Sequence, residues 1–369
     1  MLLEPDSQDG LDELFRQIAE GAPARDVDGA FPKAAFDVLR HANLLANPPV
    51  RPGEMKALLR LLAAVGRGDL SVGRLFEGHV NAFFLMDRYG TDTQRRSYAT
   101  IAASGGAFGV WNTDVPEDPL RLEGGRLFGK KNFASGVDGL SHAIVTVTID
   151  AGRQMIVVPV SELTVDRAWW RPVGMRASGS HIADLTGLEP SQDWLLGEPD
   201  DYIAQPWFSA GAIRFVAVQV GGMHTILDTV VSHLNRTNRA ANPYQSHRLA
   251  RLGAHVETGY LWLDRLAEAW IVAASNPYAT ELQAYLMASA NAARMVVEEG
   301  ALCVLQEAEQ AIGAAGMISP HPFERLMRDL RTYLRQPNPD GAFAAFGEAI
   351  ACARWSPAGY RNLSGGRNG

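Results

Sequence analysis

The chain has 369 residues, 47% of them hydrophobic and 20% charged, which is enough apolar material for two or three cores rather than one. Its 34 basic and 41 acidic residues leave a formal net charge of -7, which argues against a phosphate-neutralising surface and therefore against nucleic acid as a partner. The only cysteines, Cys303 and Cys352, lie in Ala-rich stretches rather than a paired framework and fit a reducing cytoplasm, so no disulfide scaffold is expected.

The start, Met1-Leu2-Leu3-Glu4-Pro5-Asp6, has no basic region followed by an apolar run, and no export is expected. No later stretch reaches the roughly eighteen apolar residues of a bilayer-crossing helix, so no membrane span is expected. From Leu11 the apolar spacing is helical: Leu11, Leu14, Phe15 and Ile18 share a face, as do Leu58, Leu61, Leu62 and Val65. Breaks at Asp28-Gly29, Pro32, Pro48-Pro49 and Gly66-Arg67-Gly68 separate these helices. Residues 1–104 are expected to form an N-terminal helical domain.

The period changes near Gly105-Gly106, and runs such as Ile144 to Ile149 and Met155 to Val160 are β-type. Turn-rich pieces between them, with no helical pattern, favour antiparallel hairpins over parallel crossovers, so residues 105–200 are expected to form an antiparallel β-barrel-like domain. The adjacent Trp169 and Trp170 could line a pocket or pack the β core, and the second reading is favoured. After Pro199-Asp200-Asp201 the helical period returns through Val216 to Leu234, Leu249 to Leu266, Glu281 to Gln310 and Phe323 to Arg335. Residues 201–369 are expected to form a C-terminal four-helix bundle domain with a terminal helix, Ala342 to Arg354, and a frayed Gly-rich tail, Ser364 to Gly369. The fold class is therefore α+β.

Several chemistries are excluded by their absent motifs: there is no Gly-x-Ser-x-Gly elbow, no Walker loop, no Cys-x-x-Cys pair and no His-Glu-x-x-His. Gly66-Arg67-Gly68-Asp69-Leu70-Ser71 misses a dinucleotide fingerprint and follows a helix. Lone histidines such as His224 and His247 are read as surface or core side chains, and no metal site is expected.

What remains is an ordered set of landmarks: Gly109 to Pro116, Lys130 to Gly136, Gly174 to Ser180, Gln310 to Met317 and Glu324 to Asp329. Together, in order and spacing, they resemble the acyl-CoA dehydrogenase superfamily over nearly the whole chain. The resemblance implies FAD as cofactor, held by Trp111, Asn112 and Thr113 and by Phe133, Ala134 and Ser135, because fixed main-chain and hydroxyl donors suit the atoms of a flavin ring. Thr113 matches the Thr of the family's T-E-P segment, and Phe133-Ala134-Ser135 its W-I-S or W-I-T segment. Gln310 and Gly313 match the Q-x-x-G-G-x-G turn, which approaches the cofactor across a subunit interface and so implies a homodimer or homotetramer. Ala314 and Ala315 stand at two of that turn's small positions, where a φ above zero would be costly. Arg236 falls near the family's diphosphate-binding arginine, with Arg239 as an alternative match.

Acyl-CoA dehydrogenation needs a carboxylate within reach of the α-proton. The family's usual position corresponds here to Gln336-Pro337-Asn338-Pro339, and its other position to Ile213 beside Arg214; neither offers one, and the catalytic residues are unassigned. Asp114, Asp340 and Glu348 are nearby carboxylates, each with a structural explanation: replacement of the T-E-P glutamate, helix capping and solvent-face spacing.

Phe133-Ala134-Ser135-Gly136, Asn242-Pro243-Tyr244-Gln245 and Arg328-Asp329-Leu330-Arg331-Thr332 look like the related flavin-dependent monooxygenases, which take reduced flavin from a reductase. The histidine many of them carry after the Arg-Thr pair is missing from Tyr333-Leu334-Arg335-Gln336. The leading expectation is an FAD-dependent acyl-CoA dehydrogenase-like oxidoreductase acting on an acyl thioester or related small molecule. The alternatives are a two-component monooxygenase, with a flavin reductase or electron-transfer partner, and a non-catalytic paralogue acting as a binding subunit.

Overall fold

A computed structural model describes residues 7–335 and 338–357. The N-terminal Met1 to Asp6, Gln336-Pro337 and the Ser364 to Gly369 tail lie outside the described residues. By internal packing the chain divides into two compact units, Met1–Val50 with Ala64–Ala204 and Arg51–Ala63 with Gln205–Gly369.

In the first unit, helices α1 (Gln8–Ala19), α2 (Ala22–Asp28), α3 (Lys33–His41), the end of α4 (Met55–Gly68), α5 (Leu70–Tyr89) and α6 (Asp92–Ala103) precede nine strands. Local sequence sets their ends. Asp69 caps α5, its carboxylate accepting from Ser71 N and Val72 N, while Thr91 and Gln94 form a reciprocal capping box on α6. Arg25 pairs with the buried Asp69 at 2.9 Å, tying α2 to the start of α5.

The strands are β1 (Phe108–Trp111), β2 (Arg121–Glu123), β3 (Arg126–Phe128), β4 (Lys130–Ala134), β5 (His142–Ile149), β6 (Gly152–Pro159), β7 (Thr164–Asp166), β8 (His181–Asp184) and β9 (Leu195–Leu196). They form a six-stranded sheet, β3-β2-β5-β6-β9 with β1 also on β5, and a three-stranded sheet, β4-β8-β7. β5 and β6 are the expected antiparallel hairpin, but β1 runs parallel to β5, Phe108 facing His142 and Trp111 facing Val145. β2 also meets β5 in parallel, at Arg121 and Thr148. The first sheet is therefore mixed, a correction to the wholly antiparallel reading. The long connection carrying β2, β3 and β4 lets the chain return to β1 in the same direction, which a short hairpin turn cannot do.

The core of this unit gathers Phe108, Ile144, Met155, Val157 and Leu196 against Ala82, Leu85, Met86 and Tyr98 of the helices. His79 lies fully inside it. Its Nε2–H donates to Leu45 O at 2.8 Å and its Nδ1 accepts from Phe108 N at 3.1 Å, so it is a neutral, satisfied core histidine whose pKa burial lowers to about 4.

The second unit is built on α8 (Ile213–Arg236), α9 (Pro243–Ser275) and α10 (Thr280–Ile312), with the short α7 (Trp207–Ala210), α11 (Pro322–Tyr333) and α12 (Pro339–Ala351). α10 packs on α8, α9 and α12, and α8 on α11. The terminal helix stops at Ala351, earlier than its spacing predicts, and is capped at its start by Asn338 rather than Asp340. Trp355 then folds back: its indole donates to Ser289 Oγ at 3.0 Å, meets Phe346 edge-on and lies under the Arg265 guanidinium. Trp207–Arg236 is long and apolar enough to cross a bilayer, with mean hydropathy 1.3 over its most apolar window, but 56% of that window is buried within the protein.

Candidate functional site

The first unit brings two of the anticipated segments, Trp111 to Thr113 and Phe133 to Ser135, side by side. Beyond β1 the chain pairs with β4 through a bridge between Asp114 and Lys131, and Asn132 N donates to Thr113 O at 3.1 Å. Lys131 is wholly buried, with Nζ 2.5 Å from Asp114 Oδ1 and 3.4 Å from Asn112 O. Burial pulls its pKa down and the Asp114 carboxylate opposes that shift. Asp114 is thus a counterion, as its place in the T-E-P segment implies. Trp111 is a buried post whose Nε1–H donates to Ser135 O at 3.0 Å, locking the two segments together.

Asn112 is held from three directions. Arg153 Nη2 donates to its main-chain O at 3.1 Å, Lys131 reaches the same oxygen, and Thr146 Oγ1 donates to its Oδ1 at 2.8 Å. With Oδ1 engaged, the amide NH2 is the group this half-buried side chain presents. Thr113 beside it is exposed.

The register of β4 on β8 shifts between Lys131 and Ala134, forming a bulge, and within it Phe133 takes a left-handed φ of 50°. A bulge re-aims the side chain it carries. Lys131, Asn132 and Ala134 stay inside while the Phe133 ring stands 51% exposed. It meets Trp169 edge-on at 5.0 Å and Trp170 at 6.3 Å, and the two indoles stack at 6.2 Å. The Trp pair therefore forms a surface aromatic corner with Phe133 instead of packing the β core. An indole needs a partner for its N–H, and the loop after β7 supplies Arg176 O to Trp170 at 3.3 Å near the surface.

Behind the bulge lies a line of hydroxyls. Ser135 Oγ is 2.8 Å from Ser180 Oγ, and Ser180 Oγ is 2.9 Å from Ser178 Oγ. All three serines are buried. Gly136 N donates to Ser178 O at 2.8 Å, and Gly179 turns the chain at φ 46° so that Ser180 lies beside Ser135. One residue on, His181 Nε2 contacts Asp138 Oδ2 at 3.0 Å, and Arg167 also holds Asp138.

Arg236, Gln310 and Gly313 all lie in the second unit. Arg236 ends α8 with an exposed guanidinium; Gln310 is exposed on the last turn of α10. Gly313 has φ 80° and ψ -161°, a backbone region open almost only to glycine. Ala314 and Ala315 follow in a 3-10 turn and are absent from the positive-φ residues, so alanine costs no strain there. That turn leads to α11, whose capping residue His321 has Nε2 3.1 Å from His233 Nδ1, one turn before Arg236. Burial and the neighbouring Arg236 lower the pKa of both histidines. Arg239 is exposed beyond the helix end.

At the positions of the superfamily's base, Ile213 is fully buried and Arg214 lies over the Trp270 ring at 5.6 Å. Gln336 and Pro337 fall outside the described residues, and Asn338 is engaged as a helix cap. Asp340 lies in the first turn of α12, and Glu348 pairs with Arg354 at 3.6 Å. Among the described residues no group of His, Cys, Asp and Glu has metal-ligating geometry.

Residues 202–334 match the acyl-CoA dehydrogenase C-terminal domain, and the chain has the acyl-CoA dehydrogenase-like fold. Along 94% of its length it is 21% identical to dibenzothiophene monooxygenase of Mycolicibacterium goodii, covering 94% of that protein. The crystal structure of the dibenzothiophene monooxygenase TdsC from Paenibacillus sp. A11-2 superposes with a TM-score of 0.81 at 19% identity, covering 95% of this chain and 98% of that one; its FMN-bound form superposes at 0.83. Methanesulfinate monooxygenase MsuC from Pseudomonas fluorescens superposes at 0.76 with 18% identity, covering 93% and 96% of the two chains.

Proposed function

We propose that this protein is a flavin-dependent monooxygenase that works with reduced flavin, FMN in preference to the FAD implied by the superfamily resemblance, and with a separate reductase. The observation that carries this reading is the chemistry of the face formed by Asn112, Thr113, Phe133 and Ser135. It offers fixed hydrogen-bond donors and an aromatic ring, and its neighbouring carboxylate, Asp114, is committed to Lys131. A dehydrogenase needs a carboxylate with a free lone pair at the substrate's α-proton. An oxygenase needs donors aimed at developing negative charge and a surface that excludes water. The similarity to two dibenzothiophene monooxygenases over almost their whole lengths supports the same choice, and the FMN-bound relative supports FMN.

The donor set fits a flavin. Asn112 NH2, the main-chain N–H of Thr113 and the Ser135 hydroxyl suit the carbonyl and nitrogen edge of a flat heteroaromatic ring, while Phe133 with Trp169 suits its face. The flavin, when bound, supplies the electrons that activate oxygen. The chain's own contribution is to hold ring and substrate. Thr146 and Arg153 keep Asn112 from rotating, the bulge points Phe133 outward, and Ser135 holds a proton at Oγ. The charge on Arg236 and the exposed side chain of Gln310 are assigned to a phosphate group, with Gly313 turning the chain beside them, in keeping with the superfamily resemblance. The substrate is a small molecule, planar or bearing sulfur or nitrogen, and the assembly a homodimer or homotetramer.

The test is an anaerobic titration of the purified protein with reduced FMN and with FAD, followed by oxygen consumption with a flavin reductase and NADH. Tight binding of reduced FMN, with substrate-dependent oxygen uptake, is the expected result. Oxidised FAD retained through purification and bleached by an acyl-CoA under nitrogen would instead establish the dehydrogenase. Failure to bind either flavin would leave a non-catalytic role.

A further inference from the structure

We propose that Ser178 and Ser180 are positioning residues that commit the Ser135 hydroxyl to donating its proton outward from the face, toward an acceptor atom of the bound ligand. The direction follows from counting protons along the line of three hydroxyls. Ser178 is the innermost and is only 1% exposed. Among the described residues its hydroxyl has one partner, Ser180 Oγ at 2.9 Å.

A hydroxyl has one proton and two lone pairs, so leaving the proton without an acceptor loses its only donation, whereas an under-used acceptor is the deficit that folded proteins tolerate more often. Ser178 therefore donates to Ser180. Two hydroxyls share one proton between them, so Ser180 cannot donate back, and its own proton goes to Ser135 Oγ at 2.8 Å. Ser135 then has its proton to spare. The one internal acceptor left to it is Phe133 O, two residues back, at a long 3.4 Å and already accepting from Ser135 N at 2.7 Å. A ligand acceptor at normal distance outcompetes it.

The backbone keeps this order rigid. Gly136 N holds Ser178 O, Trp111 Nε1 holds Ser135 O, and the turn at Gly179 fixes Ser180 between them. Ser135 thus acts as a donor whose direction is settled before any ligand arrives, and preorganised donors of this kind lose nothing to reorientation when charge develops. The outward acceptor as an atom of a flavin rests on the proposed function; the polarity of the line does not.

The experiment compares Ser135→Ala, Ser180→Ala, Ser180→Thr and Ser178→Ala in the full-length protein, by thermal unfolding without ligand and by titration with reduced FMN. Ser178→Ala removes a donor and orphans no proton, so its melting temperature stays within about 2 °C of wild type; Ser135→Ala strands a buried hydroxyl proton and lowers it by about 5 °C, although Ser135 is the less buried residue. Ser135→Ala and Ser180→Ala weaken FMN binding about tenfold, Ser178→Ala weakens it less, about threefold, and Ser180→Thr keeps it at the wild-type value. The opposite order of melting temperatures, or wild-type FMN binding by Ser180→Ala, overturns the proposal. Wild-type protein that binds no FMN at all overturns the flavin reading instead, and the unfolding series still decides the polarity.

Discussion

The ammonium of Lys131, closed off from solvent, lies 2.5 Å from Oδ1 of Asp114 and so fastens the bulged strand to the segment after β1. The two halves of this pair are not equivalent. Asp114→Asn leaves a buried cation without its counterion and is expected to cost about 3 kcal/mol, whereas Lys131→Met removes the charge and costs less. Burial already lowers the Lys131 pKa, and without Asp114 it falls further. Between the lowered folded pKa and the unfolded one the unfolded chain binds more protons, so Asp114→Asn should regain stability as pH rises through that range. Urea unfolding of both variants from pH 7 to 10 measures this. Equal losses with no pH dependence would show that the charge is not what the pair supplies.

The aromatic corner predicts a separation of binding from stability. Trp169 is exposed, so Trp169→Ala should leave the unfolding midpoint within about 0.5 kcal/mol of wild type. It should weaken FMN binding by about 1 kcal/mol, close to fivefold, if the Phe133 and Trp169 rings meet the flavin. Quenching of indole fluorescence by added FMN, present in wild type and reduced in the variant, is the direct readout. Unchanged affinity would detach this corner from the cofactor.

Gly313 offers a test of pure backbone strain. A Cβ built there meets nothing within 4 Å, yet φ is 80°. Gly313→Ala should therefore cost on the order of 1–3 kcal/mol with no steric clash to relieve. Gly253, within α9 and equally open, is the control: Gly253→Ala should stabilise by about 0.5–1 kcal/mol. Thermal unfolding of the two variants, moving in opposite directions, is the expected outcome.

His79 sets an acid limit on the first unit. Unfolded, it takes up a proton near its ordinary pKa of 6.5; folded, only near about 4. Between those values the unfolded state binds more protons, so stability falls as pH falls and levels off below the folded pKa, with about 3 kcal/mol lost in all. His79→Asn should be less stable at pH 7, having lost hydrogen bonds to Leu45 and Phe108, but should show a flatter slope between pH 6.5 and 4. Parallel slopes for the two proteins would assign the acid sensitivity to other groups.

Periodicity made most elements legible. The spacing from Val216 to Leu234 marks the apolar face of α8, and the runs at Ile144 and Met155 mark a hairpin. The segments at Trp111 and Phe133 were also visible as a colinear pattern. The parallel pairing of β1 on β5 was not, because strand direction depends on where a long connection returns and leaves no local composition signal. Nor was the surface position of Trp169 and Trp170: an indole in a turn-rich stretch reads alike whether it packs inward or stacks outward on Phe133. The Ser178 and Ser180 hydroxyls lie in the Gly174 to Ser180 landmark, yet their meeting with Ser135 depends on the left-handed turn at Gly179, which no pair frequency encodes. The His233 and His321 contact was hidden for the same reason, since 88 positions separate its members.

The bulge at Phe133 also makes chain length, more than residue type, the fixed quantity in this stretch. Removing one residue between Lys131 and Ala134 would restore plain alternation along β4, turning the Lys131 ammonium outward or drawing the Phe133 ring inward. Replacing the ring by another aromatic leaves the main-chain donors where they are. Substitutions along this strand therefore have freedom in side-chain choice and almost none in insertion or deletion, and libraries built by point substitution should yield far more folded members than libraries of altered length.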